Sequence, residues 1–332
     1  MIISKTPLRA SFFGGGTDFK DYYEKSKYGY GNVISTALNM YVYIMVCKRF
    51  DDKLRVCYTK NEFVDNVNQL EHNIIREALK IVGIETGVDI VYSADIPLSS
   101  AGIGLSSSSA LAVGVLNALY AYKGISISAS ELARKACEIE IDRLHNPIGI
   151  QDQYAVAHGG FKQYKFWSNG EVSAIPVQTN KDAVNRLQDN LMLYYTGLTR
   201  ISGEILSEQK SNIVDKTAIL DALCEMPERA IMALNEGNID VWGEMLDEAW
   251  QLKKQMASKI SNPEIDRMYE LARNSGAIGG KVLGAGGGGF LLLYVPQDDQ
   301  ESVRQAMSGY KHVEFKFENE GSRIIFMEDA NR

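Results

Sequence analysis

The sequence predicts a soluble protein of two domains that each mix strands with helices. Three observations carry that expectation. The chain of 332 residues is long enough for two cores of ordinary size. Its 45% hydrophobic and 23% charged positions are those of a globular protein. Its two parts also differ in texture, with strands and helices interleaved up to about residue 180 and a helix-rich remainder ending in a strand–strand–helix–strand–strand tail.

The first part begins on a strand-like Ile2-Ile3 segment. Met40 to Val46 is rich in aromatic and β-branched residues, as strands are, and Leu54 to Tyr58 and Ile90 to Tyr92 read similarly. Helical patterns follow near 70–82, 107–122 and 130–144, the last opened by the capping-box signature Ser128-x-x-Glu131. Leu191 to Gly197 reads as a strand with a turn at its end, followed by helical patterns at 203–211, 216–235, 239–260 and 264–274. Lys281–Leu283 and Phe290–Val295 are strands flanking a glycine cluster, and a short helix near 300–308 precedes alternating Val313–Phe317 and Arg323–Met327. The polar stretch Thr179 to Asp189 is the expected break, giving domains 1–183 and 184–332. No repeat or low-complexity segment is present.

The net charge of −7 argues against a nucleic-acid backbone as a general partner. Four cysteines without close pairing are too few for a disulfide scaffold and do not form a zinc ribbon. No run of about eighteen apolar residues exists for a membrane span, and the N-terminus lacks a secretory pattern. The expectation is a reduced, cytoplasmic enzyme or binding protein with no membrane partner.

Three small-residue clusters stand out. In the first, a strand-like run through Arg9 is broken by Gly14, Gly15 and Gly16, then Thr17 and Asp18. Glycines let a ligand approach the backbone, and the hydroxyl and carboxylate suit a polyol; a glycine-rich turn with Asp18 capping the next helix is the alternative. In the second, Gly102-Ile103-Gly104-Leu105 leads into Ser106, Ser107, Ser108 and Ser109 at the start of an apolar helix. Free N–H groups and the positive dipole end there suit phosphate, and a serine hydroxyl suits Mg²⁺, whereas plain capping needs one serine. The third, Gly284 to Gly289, runs into a strand rather than a helix, so it is not a dinucleotide fingerprint. A backbone surface closing over a ligand fits it better than a simple hairpin. The Walker pattern and the protein-kinase motifs are absent.

Glu140 lies in helical register with Ala133, Ala136, Cys137 and Leu144. A bare carboxylate on an apolar stripe needs a cation, either an arginine or a metal. Asp152 falls in the first turn of a helix after Pro147, where it either favours the helix dipole or serves as a base. The four histidines lack ligand spacing.

Together these residues resemble the GHMP kinase superfamily, over essentially the whole chain and with its three motifs in order. Within it they most resemble the bacterial D-glycero-D-manno-heptose 7-phosphate kinases. The resemblance implies an α+β fold: an N-terminal domain like domain 2 of ribosomal protein S5, a ferredoxin-like C-terminal domain, and an active site between them. It implies ATP and Mg²⁺. Arg9 and Asp152 would be catalytic, and Gly102, Gly104, Ser106, Ser107, Ser108 and Ser109 would form the phosphate loop. Ser108 and Glu140 would hold the metal. Gly15, Gly16, Thr17, Asp18, Gly286, Gly287 and Gly288 would face the substrate. Its existing phosphate needs its own cation, and Arg200, at a strand–helix turn, is placed there from its position, a surface arginine being the alternative. The implied reaction phosphorylates the anomeric hydroxyl of the heptose 7-phosphate for nucleotide-activated heptose synthesis, in a monomer or homodimer. A kinase of fucose, galactose or mevalonate type and a non-catalytic sugar-phosphate sensor are the alternatives. One departure is present: Ser106 stands where the family's second motif usually has glycine.

Overall fold

The long central strands of the first sheet follow directly from the apolar runs at the start of the chain. The computed structural model describes residues 1–96, 104–198 and 202–328. The first part contains β1 (Ile2–Phe13), α1 (Lys20–Tyr23), β2 (Tyr30–Lys48), β3 (Leu54–Cys57) and β4 (Asn61–Val64). It continues through α2 (Asn73–Val82), β5 (Val88–Ala94), α3 (Ser107–Tyr122), α4 (Ala129–Cys137) and α5 (Gln151–His158). β6 (Phe161–Trp167), β7 (Val172–Pro176) and α6 (Lys181–Asp189) complete it. The second part runs β8 (Leu191–Tyr195), α7 (Ser202–Ser211), α8 (Thr217–Asn235), α9 (Asp240–Lys254) and α10 (Pro263–Asn274). Then come β9 (Gly279–Val282), β10 (Phe290–Tyr294), α11 (Gln300–Ala306), β11 (Lys311–Val313), β12 (Phe317–Glu318) and β13 (Arg323–Met327).

The first sheet has nine strands among the described residues, along the path β13-β1-β2-β5-β3-β4, with β6, β7 and β12 reached through β2. β2 can serve several neighbours because it is 19 residues long. Its second half alternates buried and half-buried positions from Met40 to Val46, as a sheet covered on one face requires. Its first half, Gly31 to Leu38, is buried throughout. α3 packs on β1 and β2. It is apolar nearly all round, and Ser4 Oγ donates to the Gly114 carbonyl at 2.8 Å, so helix and sheet touch backbone to side chain.

The second sheet has the order β11-β8-β10-β9, with every pairing antiparallel. In chain order its strands lie 4-1-3-2 with helical crossovers, which is the ferredoxin-like arrangement. The two parts meet through aromatic rings. Trp242 on α9 is fully buried, with its ring 5.2 Å from that of Phe12 and 5.0 Å from that of Phe13, both on β1. Its indole N–H donates to the Ala230 carbonyl at 2.9 Å, so the buried ring's one polar group is satisfied.

Several expectations are corrected. The helix expected over 130–144 is α4 followed by a wide π-helical turn, Glu138–Arg143. The helix expected to 260 stops at Lys254. The strand expected over 313–317 divides between the two sheets: β11 pairs with β8, whereas β12 pairs with β2. β13 pairs with β1, so the last strands return to the first sheet; the expected break at 183/184 falls inside α6. Among the described residues no helix is long and apolar enough to cross a membrane.

Because Trp242 fills the joint between the two parts, Trp242→Ala is expected to cost about 3–5 kcal/mol. A urea titration measures it, and a loss below about 1 kcal/mol would show that the joint repacks around the missing ring.

Candidate active site

β1 carries Arg9 into the cleft, where the strand's own backbone is already tied to the serine-rich loop by a bond from Arg9 N–H to the Leu105 carbonyl (3.3 Å). The guanidinium is buried and makes two parallel bonds to Asp152, from Nε to Oδ1 and from Nη2 to Oδ2, each 2.8 Å. Nη1 donates to the Gly104 carbonyl at 2.7 Å. This fork geometry suits a carboxylate and fixes the direction in which Asp152 points. Asp152 remains a quarter exposed, and both residues line one cavity with Ser11, Asp18, Gln151, Lys253 and Lys281.

Asp18 faces the same cavity and is buried. Its Oδ1 accepts from Gly16 N–H at 3.0 Å and from Gln151 Nε2 at 3.2 Å, and its Oδ2 accepts from Gln151 N–H at 3.2 Å. Burial, and then the negative Asp152, push the Asp18 carboxyl up to about 6, against the opposing pull of the backbone N–H groups of Gln151 and Gly16. Gly149 has to be glycine here, since a methyl group on it would lie 2.0 Å from Asp18 Oδ2. Gly15 and Gly16 also line the cavity. Thr17 does not: its hydroxyl donates to the Gly14 and Asn32 carbonyls (2.7 and 3.0 Å) and accepts from Asn32 N–H, so the turn consumes it.

Behind Asp152 the π-helical turn aims Glu140 into the protein, where it is fully buried. Its Oε2 accepts from Ser109 Oγ (2.7 Å) and Gln153 Nε2 (2.6 Å), while Oε1 is buried without a hydrogen-bond partner. Burial raises the Glu140 carboxyl above its ordinary range, with Ser109, Ser108 and Gln153 working against the rise. No arginine or lysine pairs with Glu140 among the described residues. Ser109, buried, makes the short contact; Ser108 is exposed at the helix start, and Ser107 lies between these extremes. Ser106 takes the left-handed conformation, with φ at +66°, and its buried hydroxyl has no partner. That conformation explains why glycine is usual at this position.

The serine loop and the third glycine cluster touch backbone to backbone. A methyl group on Gly104 would meet the Leu283 carbonyl oxygen at 2.4 Å, and one on Gly284 would meet Gly104 Cα at 2.5 Å. Gly284 and Ala285 line the cavity. Gly286 and Gly288 instead lie against Ile260 and Leu198, and Gly287 N–H bonds to the Ile260 carbonyl, so these three shape the turn behind it. Gly102 and Arg200 lie outside the described residues.

Among the cavity residues that sequence reasoning missed are Lys281, Lys253 and Gln209. Lys281, on β9, is buried and donates to the Phe12 carbonyl at 2.7 Å, with no ion pair among the described residues. Burial, and then the positive Arg9, push its ammonium down to about 7. Lys253, on α9, donates to the carbonyls of Val282 and Gly284 and so holds the third cluster in place. Gln209, on α7, is buried with its amide nitrogen against Gly16. The signal for the last two was available: Lys253 continues the apolar stripe Leu246-Ala249-Trp250, and Gln209 that of Ile205-Leu206-Ile213, as Glu140 does in its helix.

Comparison with known proteins agrees with this architecture. Residues 61–160 match the GHMP kinases N terminal domain, and residues 230–312 match the GHMP kinases C terminal domain. The D-glycero-alpha-D-manno-heptose 7-phosphate kinase of Campylobacter jejuni is 31% identical over 96% of this chain and 97% of its own. The galactokinase of Pyrococcus furiosus is 25% identical over 92% of each chain. In fold, the crystal structure of a D-glycero-D-manno-heptose 1-phosphate kinase from Bacteroides thetaiotaomicron superposes with a TM-score of 0.80 at 23% identity, covering 99% of this chain and 100% of that one. With both domains matched in order and a relative aligned nearly end to end, the chain belongs to the GHMP kinase family and is an ATP-dependent kinase.

Proposed function

We propose that the chain transfers the γ-phosphoryl group of ATP to the anomeric hydroxyl of D-glycero-D-manno-heptose 7-phosphate, giving the 1,7-bisphosphate. The observation that carries this reading is the Arg9–Asp152 pair, bonded also to Gly104, on the wall of a cavity that Asp18 shares. The 31% identity to a heptose 7-phosphate kinase supports the acceptor. A carboxylate and amides lining the cavity suit a polyol better than an apolar acid.

In this reading the acceptor hydroxyl is held by Asp18 and Asp152. Asp152 takes its proton as the new O–P bond forms and the bond to the β-phosphate breaks, releasing ADP. Arg9 keeps Asp152 aimed, and Lys281 adds positive charge near the transferred group. The serine-rich start of α3 receives the nucleotide phosphates. The residues around Glu140 fit Mg²⁺, because a buried carboxylate oxygen lacks a partner beside serine hydroxyls. Glu140 and Ser108 would hold the ion, which when bound neutralises phosphate charge. Gly286, Gly287 and Gly288 support the cavity from the second part, and Thr17 braces the first glycine turn. Arg200 is proposed, from the sequence, as the cation for the 7-phosphate.

Asp152→Asn tests the central role. It keeps size and one acceptor but cannot take a proton, so kcat is expected to fall about 10²- to 10⁴-fold while calorimetric affinities for sugar and nucleotide change less than about tenfold. A nearly unchanged kcat would remove the mechanism. Glu140→Gln is expected to leave the ligand-free melting temperature level or higher, since it relieves a buried charge, and to depress Mg²⁺-dependent turnover at saturating metal. Unaltered turnover would dismiss Glu140 as the metal ligand.

Lys281 gives a pH test. Its folded pKa is lowered, so the cost of burying the ammonium is full below about pH 7 and is relieved as pH rises from there toward the unfolded value. Lys281→Met is therefore expected to raise the melting temperature of the ligand-free protein most at pH 6–7, with the gain shrinking toward about pH 10. A pH-independent difference would contradict an unpaired buried ammonium.

A further inference from the structure

We infer that Gln209 is a specificity-determining residue, whose side-chain amide donates to an acceptor hydroxyl that in turn donates to Asp18. The inference rests on the reading of the cavity as a sugar site and goes beyond it in naming a residue outside the three glycine and serine clusters. Gln209 is 4% exposed, yet among the described residues no hydrogen bond engages its side-chain amide. Other buried amides of the chain are engaged: Gln153 donates to Glu140, Gln163 to Asn32 and Glu228, and Asn117 to Ser322. The Gln209 amide opens onto the cavity, where solvent meets it until a ligand group takes those hydrogen bonds.

Its position says which ligand. Gln209 lines the cavity together with Gly16 and Asp18, and a methyl group on Gly16 would lie 2.8 Å from Gln209 Nε2. Gly16 N–H in turn bonds Asp18 Oδ1. An ionised carboxylate only accepts hydrogen bonds, whereas a primary amide both donates and accepts. A hydroxyl is the group that satisfies both at once, giving its proton to one and accepting from the other. A methyl in the same place would leave both unpaired, and a carboxylate would leave Asp18 without a donor.

The helix is also held where this requires. The residue before Gln209, Glu208, accepts from Ser258 N–H (2.7 Å) and Ser258 Oγ (2.8 Å), and the residue after it, Lys210, lies 3.9 Å from the Asp21 carboxylate beyond the first glycine cluster. Gln209 thus sits between two tethers, one to each part of the molecule, which restrain the helix that carries it.

The test is a cycle between protein and substrate. Gln209→Met keeps the volume and removes the amide; Gln209→Glu keeps the length and an acceptor but loses the donor. Each is assayed with the heptose phosphate and with its monodeoxy analogues, alongside melting temperature and KM for ATP. Both variants are expected to lose about 10- to 100-fold in kcat/KM for the parent sugar, with KM for ATP within about twofold of the wild type. At one deoxy position the wild type should lose a similar factor, and there Gln209→Met should add no further loss. Additive losses at every position, or an unchanged kcat/KM for the parent in Gln209→Met, would overturn the assignment while leaving the kinase reading intact. A wild-type protein that neither binds nor phosphorylates any sugar overturns both. If Gln209→Met melts well below the wild type, Gln209→Glu decides, because a purely structural glutamine predicts equal losses for parent and deoxy sugars.

Discussion

Arg9 leaves β1 inside the protein, and its donors reach two different parts of the cleft at once. Two of them hold Asp152 at the start of α5, and a third holds the Gly104 carbonyl in the loop before α3. The strand that carries Arg9 ends in the turn that positions Asp18, and the Phe12 carbonyl, further along the same strand, receives Lys281 from the second part. The relative placement of Asp152, the serine-rich loop and the cavity beside Asp18 therefore passes through one short piece of strand. An apolar pair of the same volume could hold α5 against β1 as firmly. It could not aim a carboxylate, and the aim is what the proposed proton transfer uses.

The cavity is also a place where charge has been buried against the interest of the ligand-free fold. Asp18 is raised by burial, Lys281 is lowered by it, and Glu140 keeps one oxygen with nothing to accept from. A donor hydroxyl would offset the first cost, an anion the second and a cation the third. The stability for this comes from elsewhere, chiefly the apolar α3 and the rings gathered around Trp242. A core that bridges both parts allows the cleft between them to stay polar without the two drifting apart.

What could be read beforehand depended on how local each cause was. The helix at 107–122, the capping box at Ser128 and the carboxylate on an apolar stripe at Glu140 are set by neighbours within a few residues, and the structure contains all three. Arg9, Asp18 and Asp152 were legible as a set only because their motifs resemble a known family; nothing in their spacing brings residues 9 and 152 together. Which of four consecutive serines meets Glu140 is a matter of helix rotation, about 100° per residue, and a sequence does not fix the phase. Thr17 reads as a ligand group until Asn32, fifteen positions away, is seen to occupy its hydroxyl. Lys281 lies in a strand of four wholly buried residues, too short for any alternation to mark it out.

The return of the chain's end to its beginning bears on how the protein is made. β13 covers the outer edge of β1 at Ile2 to Lys5, and Ser322, just before it, bonds Thr6 and Asn117. During synthesis β1 emerges some three hundred residues ahead of β13, the strand that covers this edge. At about 5–20 residues per second the delay is on the order of 15–60 s. Throughout it β1 presents unpaired backbone on one side, the kind of edge on which nascent chains associate with one another. β13 is thus the clasp of the first sheet, which a nascent chain can finish only after β13 itself has emerged.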